Sequence, residues 1–135
     1  MIVSLRPGEK IYINGAVLRA DRKVSLELLN DVTFLLESHV MQPEQATTPL
    51  RQLYFVVQTL LMAPGDPAAR DLFGELHARL LDSFENAEIR SGLAEVERQV
   101  AAKRPFDALK TIRGLLPVEE RILAGAEDVS PPRAA

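Results

Sequence analysis

Two groups of basic side chains are the residues of this sequence best suited to a recognisable chemistry. The first is Arg6, Lys10, Arg19, Arg22 and Lys23, five cations against the two acids Glu9 and Asp21 in residues 1–23. The second is Lys103, Arg104, Lys110 and Arg113, with Asp107 among them. Lys110 and Arg113 are three residues apart, so one helical face carries both. Cations gathered this way suit phosphate, because each one near a nucleic-acid phosphate releases counterions and adds salt-dependent affinity. Choosing among RNA sequences takes more, usually aromatic stacking on unpaired bases. Alternation places Tyr12 on the same strand face as Lys10. Tyr12 either stacks on a base or covers a cross-strand neighbour, and the spacing leaves both open. Basic side chains on solvated strand faces also occur without any such partner.

Other chemistry has weaker support. His39 follows Glu37 by two residues at the end of an expected strand, which fits two polar residues on a wet face better than a base and its orienter. His77 lies on an expected helix between Phe73 and Leu81, with no second ligand at metal spacing, and reads as a boundary residue half-covered by its neighbours. Glu85, Glu88, Glu95 and Glu97 alternate with Arg90 and Arg98, the pattern of a solvated helix face. The serines lack the Gly-x-Ser-x-Gly setting, and the glycines form no phosphate loop. No catalytic residue, metal site or cofactor is expected, and the chain does not read as an enzyme.

These side chains must be positioned by two different kinds of element. Residues 1–41 read as a small antiparallel sheet or barrel of about five short strands. Pro7-Gly8 is a turn signal. Ile11-Tyr12-Ile13 and Ala16-Val17-Leu18 flank Asn14-Gly15, the favoured pair for a two-residue hairpin. Asp21-Arg22 and Asn30-Asp31 suggest further turns. Val24, Leu26 and Leu28 alternate with Lys23, Ser25 and Glu27, and Val32, Phe34 and Leu36 repeat the alternation.

A polar connector at 42–47 leads to a helical module at 48–123 with about four helices. Thr48-Pro49 and Asp66-Pro67 are start signals, cap followed by proline at the first helical position. The first expected stripe is Leu50, Leu53, Tyr54, Val57, Leu60 and Leu61. Leu72, Phe73, Leu76, Leu80 and Phe84 form the second, and Ile89, Leu93, Val96 and Val100 the third. Phe106, Leu109, Ile112 and Leu116 form the fourth, with Pro117 bending or restarting the chain before Ile122. Residues 124–135 read as a disordered tail. The fold class is therefore α+β.

The bulk properties restrict the setting. The chain has 135 residues, enough for a real core, and no cysteine, which removes disulfides and thiolate sites. A formal net charge of −3 does not by itself point to nucleic acid. The longest apolar run is interrupted by Gln58 and stops at Pro64, too short to span a membrane. With no signal-peptide pattern, the expected location is the cytoplasm.

Three segments carry a family resemblance. They are Leu5-Arg6-Pro7-Gly8-Glu9-Lys10-Ile11-Tyr12-Ile13-Asn14-Gly15-Ala16-Val17-Leu18, the run from Val40 to Pro49, and Phe106-Asp107-Ala108-Leu109-Lys110-Thr111-Ile112-Arg113-Gly114-Leu115-Leu116-Pro117-Val118-Glu119. Together they resemble the FlbT family of flagellin regulators over about residues 1–123. Pro105 departs from the pattern, which would have a small or flexible residue such as glycine there. The resemblance implies a cytoplasmic regulator of flagellum biogenesis that associates with the 5′ untranslated region of flagellin messenger RNA, represses translation and promotes loss of the message. Some members of the family act in the opposite sense. It also implies FlaF and flagellin as partners, which opens an alternative reading as an interaction protein that acts on flagellin indirectly. The pattern Arg6-x-Gly8-Glu9-x-Ile11-x-Ile13 is similar to the opening of the carbon storage regulator family of small dimeric RNA-binding sheets. An edge strand in so small a sheet invites pairing with a second copy, so a homodimer is expected.

Overall fold

Period-two alternation builds the first forty residues. In the strand Ile2–Leu5 (β1), Val3 and Leu5 are buried while Ile2 and Ser4 are exposed. The computed structural model describes residues 1–13, 16–30 and 32–128. It divides into two units, Met1–Val40 and Met41–Ala135.

The first unit holds β1, then Lys10–Ile13 (β2), Ala16–Arg19 (β3), Val24–Glu27 (β4) and Phe34–Leu36 (β5). All pairings are antiparallel, as expected, but the strands form two small sheets: β1 with β4, and β3-β2-β5 with β2 in the centre. Pro7-Gly8 makes the expected turn. The N–H of Glu9 donates to Arg6 O at 3.0 Å, and Gly8 takes φ 82°, the positive value that the third residue of a type II turn requires. The Asn14-Gly15 turn lies outside the described residues, as does Asp31 of the Asn30-Asp31 turn.

The alternation expected for Val32, Phe34 and Leu36 does not hold. Phe34 and Leu35 are both buried, because β5 is covered on both faces. Leu35 shares a face with its partner Tyr12, and Phe34 shares the opposite face with Ile13. At the other side of the same sheet all four residues of β3 are exposed. Glu37 and His39 lie in a 3₁₀ turn rather than on a strand, and Glu37 Oε1 accepts the backbone N–H of Lys10 at 2.8 Å.

The second unit contains four helices: Pro49–Met62 (α1), Pro67–Ser83 (α2), Ala87–Ala101 (α3) and Pro105–Asp128 (α4). Thr48, Asp66 and Asn86 cap the first three through their side chains. Each helix packs on its chain neighbour, and α4 closes the set against α1. The centre is Leu50, Leu53, Val57, Ile89, Leu93, Val96, Leu109 and Ile112, all at 0% exposure. His77 is buried, not half-covered. Its Nε2–H donates to Leu93 O at 2.7 Å and its ring lies 5.4 Å from that of Phe73, tying α2 to α3.

The segment 42–47 holds a 3₁₀ turn, Pro43–Gln45, closed by a capping box between Gln42 and Gln45. Three expectations need correction here. Leu72 is exposed, because α2 turns the Phe73, Leu76 and Leu80 stripe inward. Leu115 is buried where Leu116 is only partly so. Finally, α4 does not restart at Pro117 or stop at 123. Pro117 lies inside one helix that runs to Asp128, and Val118 and Glu119 just beyond it are buried. The rest of the expected tail, 129–135, lies outside the described residues.

Candidate nucleic-acid interface

The type II turn and the β2–β3 hairpin bring the first basic group to one end of the first unit. The N–H of Gly8 donates to Ala20 O at 2.7 Å, and the N–H of Ala20 donates to Glu9 O at 3.0 Å. These bonds hold the turn beside Arg6 against the segment that carries Arg19, Arg22 and Lys23. The β1–β4 register pairs Leu5 with Val24, so Arg6 and Lys23 flank the last pair on either strand. On the second sheet Lys10 stands directly opposite Arg19. Arg6, Arg19, Arg22 and Lys23 are exposed and Lys10 is half-buried.

The acids nearby are mostly engaged. Glu9 Oε1 accepts the backbone N–H of Arg6 at 2.9 Å and lies 3.9 Å from its Nε. Asp21 faces Arg22 at 3.4 Å with both side chains more than 80% exposed, a geometry worth little in water. Among the described residues neither Lys10 nor Arg19 is in an ion pair. Like charges directly opposite on a sheet cost a few tenths of a kcal/mol, roughly, and an anion lying across them removes that cost.

Tyr12 shares the face of Lys10 and is half-buried between Val17 on β3 and Leu35 on β5. That placement makes it a cover for cross-strand neighbours that keeps part of its surface exposed.

The second basic group is not a free cluster. Arg104 pairs with Asp107. Arg113 is half-buried and donates from Nη1 to the Tyr54 hydroxyl at 3.0 Å. Burial pushes the Tyr54 hydroxyl above its ordinary value of 10.0, with Arg113 opposing through its hydrogen bond and charge. Lys103 takes φ 61° at the end of α3, where Ala102, Lys103 and Arg104 close the helix with N–H bonds to Arg98 O, Val100 O and Gln99 O. Lys103 and Lys110 remain exposed.

Two interior polar residues of the second unit each bond to distant backbone, and neither stands out as a site in the sequence. Gln58 is buried and matches the backbone of Met41 twice, accepting its N–H at 2.7 Å and donating to its carbonyl at 2.9 Å. Glu119 is at 0% exposure and accepts from Thr48 Oγ1 and from the N–H of Leu50. The sequence signal is position: Gln58 falls between Tyr54 and Leu61, and Glu119 one heptad after Ile112, on faces that are otherwise apolar. Among the described residues no group of acids and histidines could hold a metal ion, and no helix is long and apolar enough to cross a membrane.

Comparison with known proteins adds the family. A family model described as "Flagellar protein FlbT" matches residues 1–123. The chain is 56% identical to a "Probable flagellum biosynthesis repressor protein FlbT" of Mesorhizobium japonicum, over 94% of this chain and 87% of that one. The like-named protein of Agrobacterium fabrum is 55% identical, over 93% and 85% of the two chains. "Probable flagellum biosynthesis repressor protein FlbT 2" of Bradyrhizobium diazoefficiens is 55% identical over the full length of both. No solved structure matches the chain.

Proposed function

The chain belongs to the FlbT family of flagellar proteins, and we propose that it regulates flagellin synthesis by binding the 5′ leader of flagellin messenger RNA through its strand unit. The relatives' naming as flagellum biosynthesis repressors supports the regulatory role. The observation that carries the RNA reading is the cross-strand pair Lys10–Arg19, two like charges held opposite each other at an end shared with Arg6, Arg22 and Lys23. A single-stranded leader laid across this end meets up to five cations, and in this reading half-buried Tyr12, on the strand face of Lys10, stacks on a base. Occupying the leader would block the ribosome and expose the message to nucleases already in the cell. Repression then needs no catalytic group on this chain.

Titration of the purified protein with a flagellin leader RNA and with an unrelated RNA, at several salt concentrations, tests the proposal. Binding to the leader should be tighter and should weaken with salt. Equal binding to both RNAs at every salt would end the claim of direct recognition.

The second reading, action through FlaF or flagellin, draws on the amphipathic helices. Their stripes are mostly covered within the helical unit, which leaves Leu72 and Leu123 as its exposed large apolar side chains among the described residues. Flagellin or FlaF that co-purifies after nuclease treatment would favour this reading. Its loss on nuclease treatment would favour an RNA bridge.

A further inference from the structure

Of the seven exposed large apolar side chains among the described residues, five (Met1, Ile2, Val17, Leu18 and Leu29) lie in the strand unit. Two of them, Val17 at 60% and Leu18 at 47%, are adjacent on β3. Among the described residues β3 is bonded on one side only, to β2, and no strand pairs with its other edge. The bonds of Ala20 fix which backbone groups that edge presents. Ala20 directs its N–H and carbonyl toward the β2 side, so by strict alternation Leu18 does the same. Val17 and Arg19 therefore direct theirs outward.

We propose that β3 pairs with β3 of a second copy, antiparallel about a two-fold axis at Leu18. This register sets Val17 of each copy opposite Arg19 of the other. Both are outward-facing residues, so each exchanges two hydrogen bonds with its opposite number, and the four outward groups of each edge are all satisfied. Leu18 meets Leu18 of the second copy at the close, non-bonded position, where the half-exposed leucines cover each other. Val17 lies against the aliphatic stem of the opposing Arg19.

Charge disfavours the register one residue further on. Centring the axis on Arg19 would put two guanidinium groups opposite each other, whereas centring on Leu18 places each against an apolar neighbour. The outward backbone groups of Val17 and Arg19 lie symmetrically about Leu18, so the same edge of a second copy satisfies all of them at once. The merged sheet has the order β5-β2-β3-β3-β2-β5. A two-fold axis perpendicular to it keeps both Lys10–Arg19 pairs on one face. The dimer does not depend on RNA, but it would present RNA with a basic surface twice as long.

A four-residue edge buries less than the roughly 1,200–2,000 Å² typical of stable interfaces, so the dimer should dissociate on dilution. The chain has no cysteine, which makes single replacements clean reporters. Sedimentation of the full chain over a wide concentration range should show a reversible monomer–dimer shift. Under mild oxidation Leu18→Cys should form a disulfide-linked dimer, because the pair at the axis lies within disulfide reach. Val17→Cys, which opposes Arg19 and not itself, should not. Cross-linking by Val17→Cys but not by Leu18→Cys would overturn the register. A wild-type chain that stays monomeric at every concentration would overturn the dimer.

Discussion

Glu119 on α4 caps α1 from a distance of 71 residues: its Oε1 accepts from Thr48 Oγ1 at 2.6 Å, and its Oε2 accepts the N–H of Leu50 at 2.9 Å. Thr48 Oγ1 in turn accepts the N–H of Arg51 at 3.2 Å. Pro49 has no N–H, so the orphan donors of the first turn of α1 are accounted for by one hydroxyl and one carboxylate. The carboxylate also sits at the positive end of the helix dipole.

Replacing Glu119 with leucine leaves the buried Leu50 N–H and the half-buried Thr48 hydroxyl without their acceptor. The expected loss is about 3 kcal/mol, measured by urea unfolding followed by circular dichroism. Thr48→Val should lose about 1 kcal/mol, and the double variant less than the sum of the two, because both remove the same contact. Additive losses would mean that the two residues act separately.

Gly92 on α3 faces the side chain of Leu115 on α4. A Cβ built there would fall 2.5 Å from Leu115 Cδ1 and 2.8 Å from its Cδ2. In an exposed helix Gly→Ala gains about 1 kcal/mol. Here Gly92→Ala should be neutral or destabilising, because the buried Leu115 must leave its rotamer to make room. In a Leu115→Ala background the same substitution should become stabilising. An equal effect in both backgrounds would rule out the clash.

Lys103 holds the left-handed position that ends α3, a conformation that costs a residue with a Cβ about 1–2 kcal/mol. Lys103→Gly should raise stability by about 0.5–1 kcal/mol in the same urea assay, the remainder being lost to greater freedom of the unfolded chain. A drop in stability would show that the lysine side chain contributes more than its backbone costs.

The local devices were legible because they depend on residue type alone. Pro7-Gly8, Thr48-Pro49 and Asp66-Pro67 form the turn and caps that their chemistry dictates. The stripes through Leu53, Val57, Leu93 and Ile112 follow from helical spacing. Long-range closure was not legible. Periodicity cannot tell that Leu35 is covered on the face it shares with Tyr12, or that Pro117 lies within a continuous helix, because both depend on what packs against them. Position in the sequence groups Arg113 with Lys110 on one basic helical face, yet α4 places it on Tyr54. The first basic group was legible as a list of residues. Its convergence depends on the Gly8–Ala20 bond, which no local pattern encodes.

Tyr54 should make the helical unit sensitive to alkali. Burial raises its hydroxyl above 10.0, while the unfolded chain titrates at the ordinary value. The folded chain therefore holds this proton more tightly, and the contribution is complete below pH 10 and lost as pH rises through the folded value. Tyr54→Phe should flatten the fall in stability above about pH 10 relative to wild type, compared by urea unfolding at matched salt. Parallel pH profiles for the two proteins would contradict this.

The central claim is that the Lys10–Arg19 end of the strand unit grips the RNA backbone. The most direct measurement is the salt dependence of leader-RNA affinity for wild type and for the Lys10→Ala/Arg19→Ala double variant. With all five cations engaged, the logarithm of affinity should fall against the logarithm of salt with a slope of about −3.5 for a single strand. The double variant should bind more weakly and lower the magnitude of that slope by about 1.4. The same affinity and slope in both proteins would contradict the account.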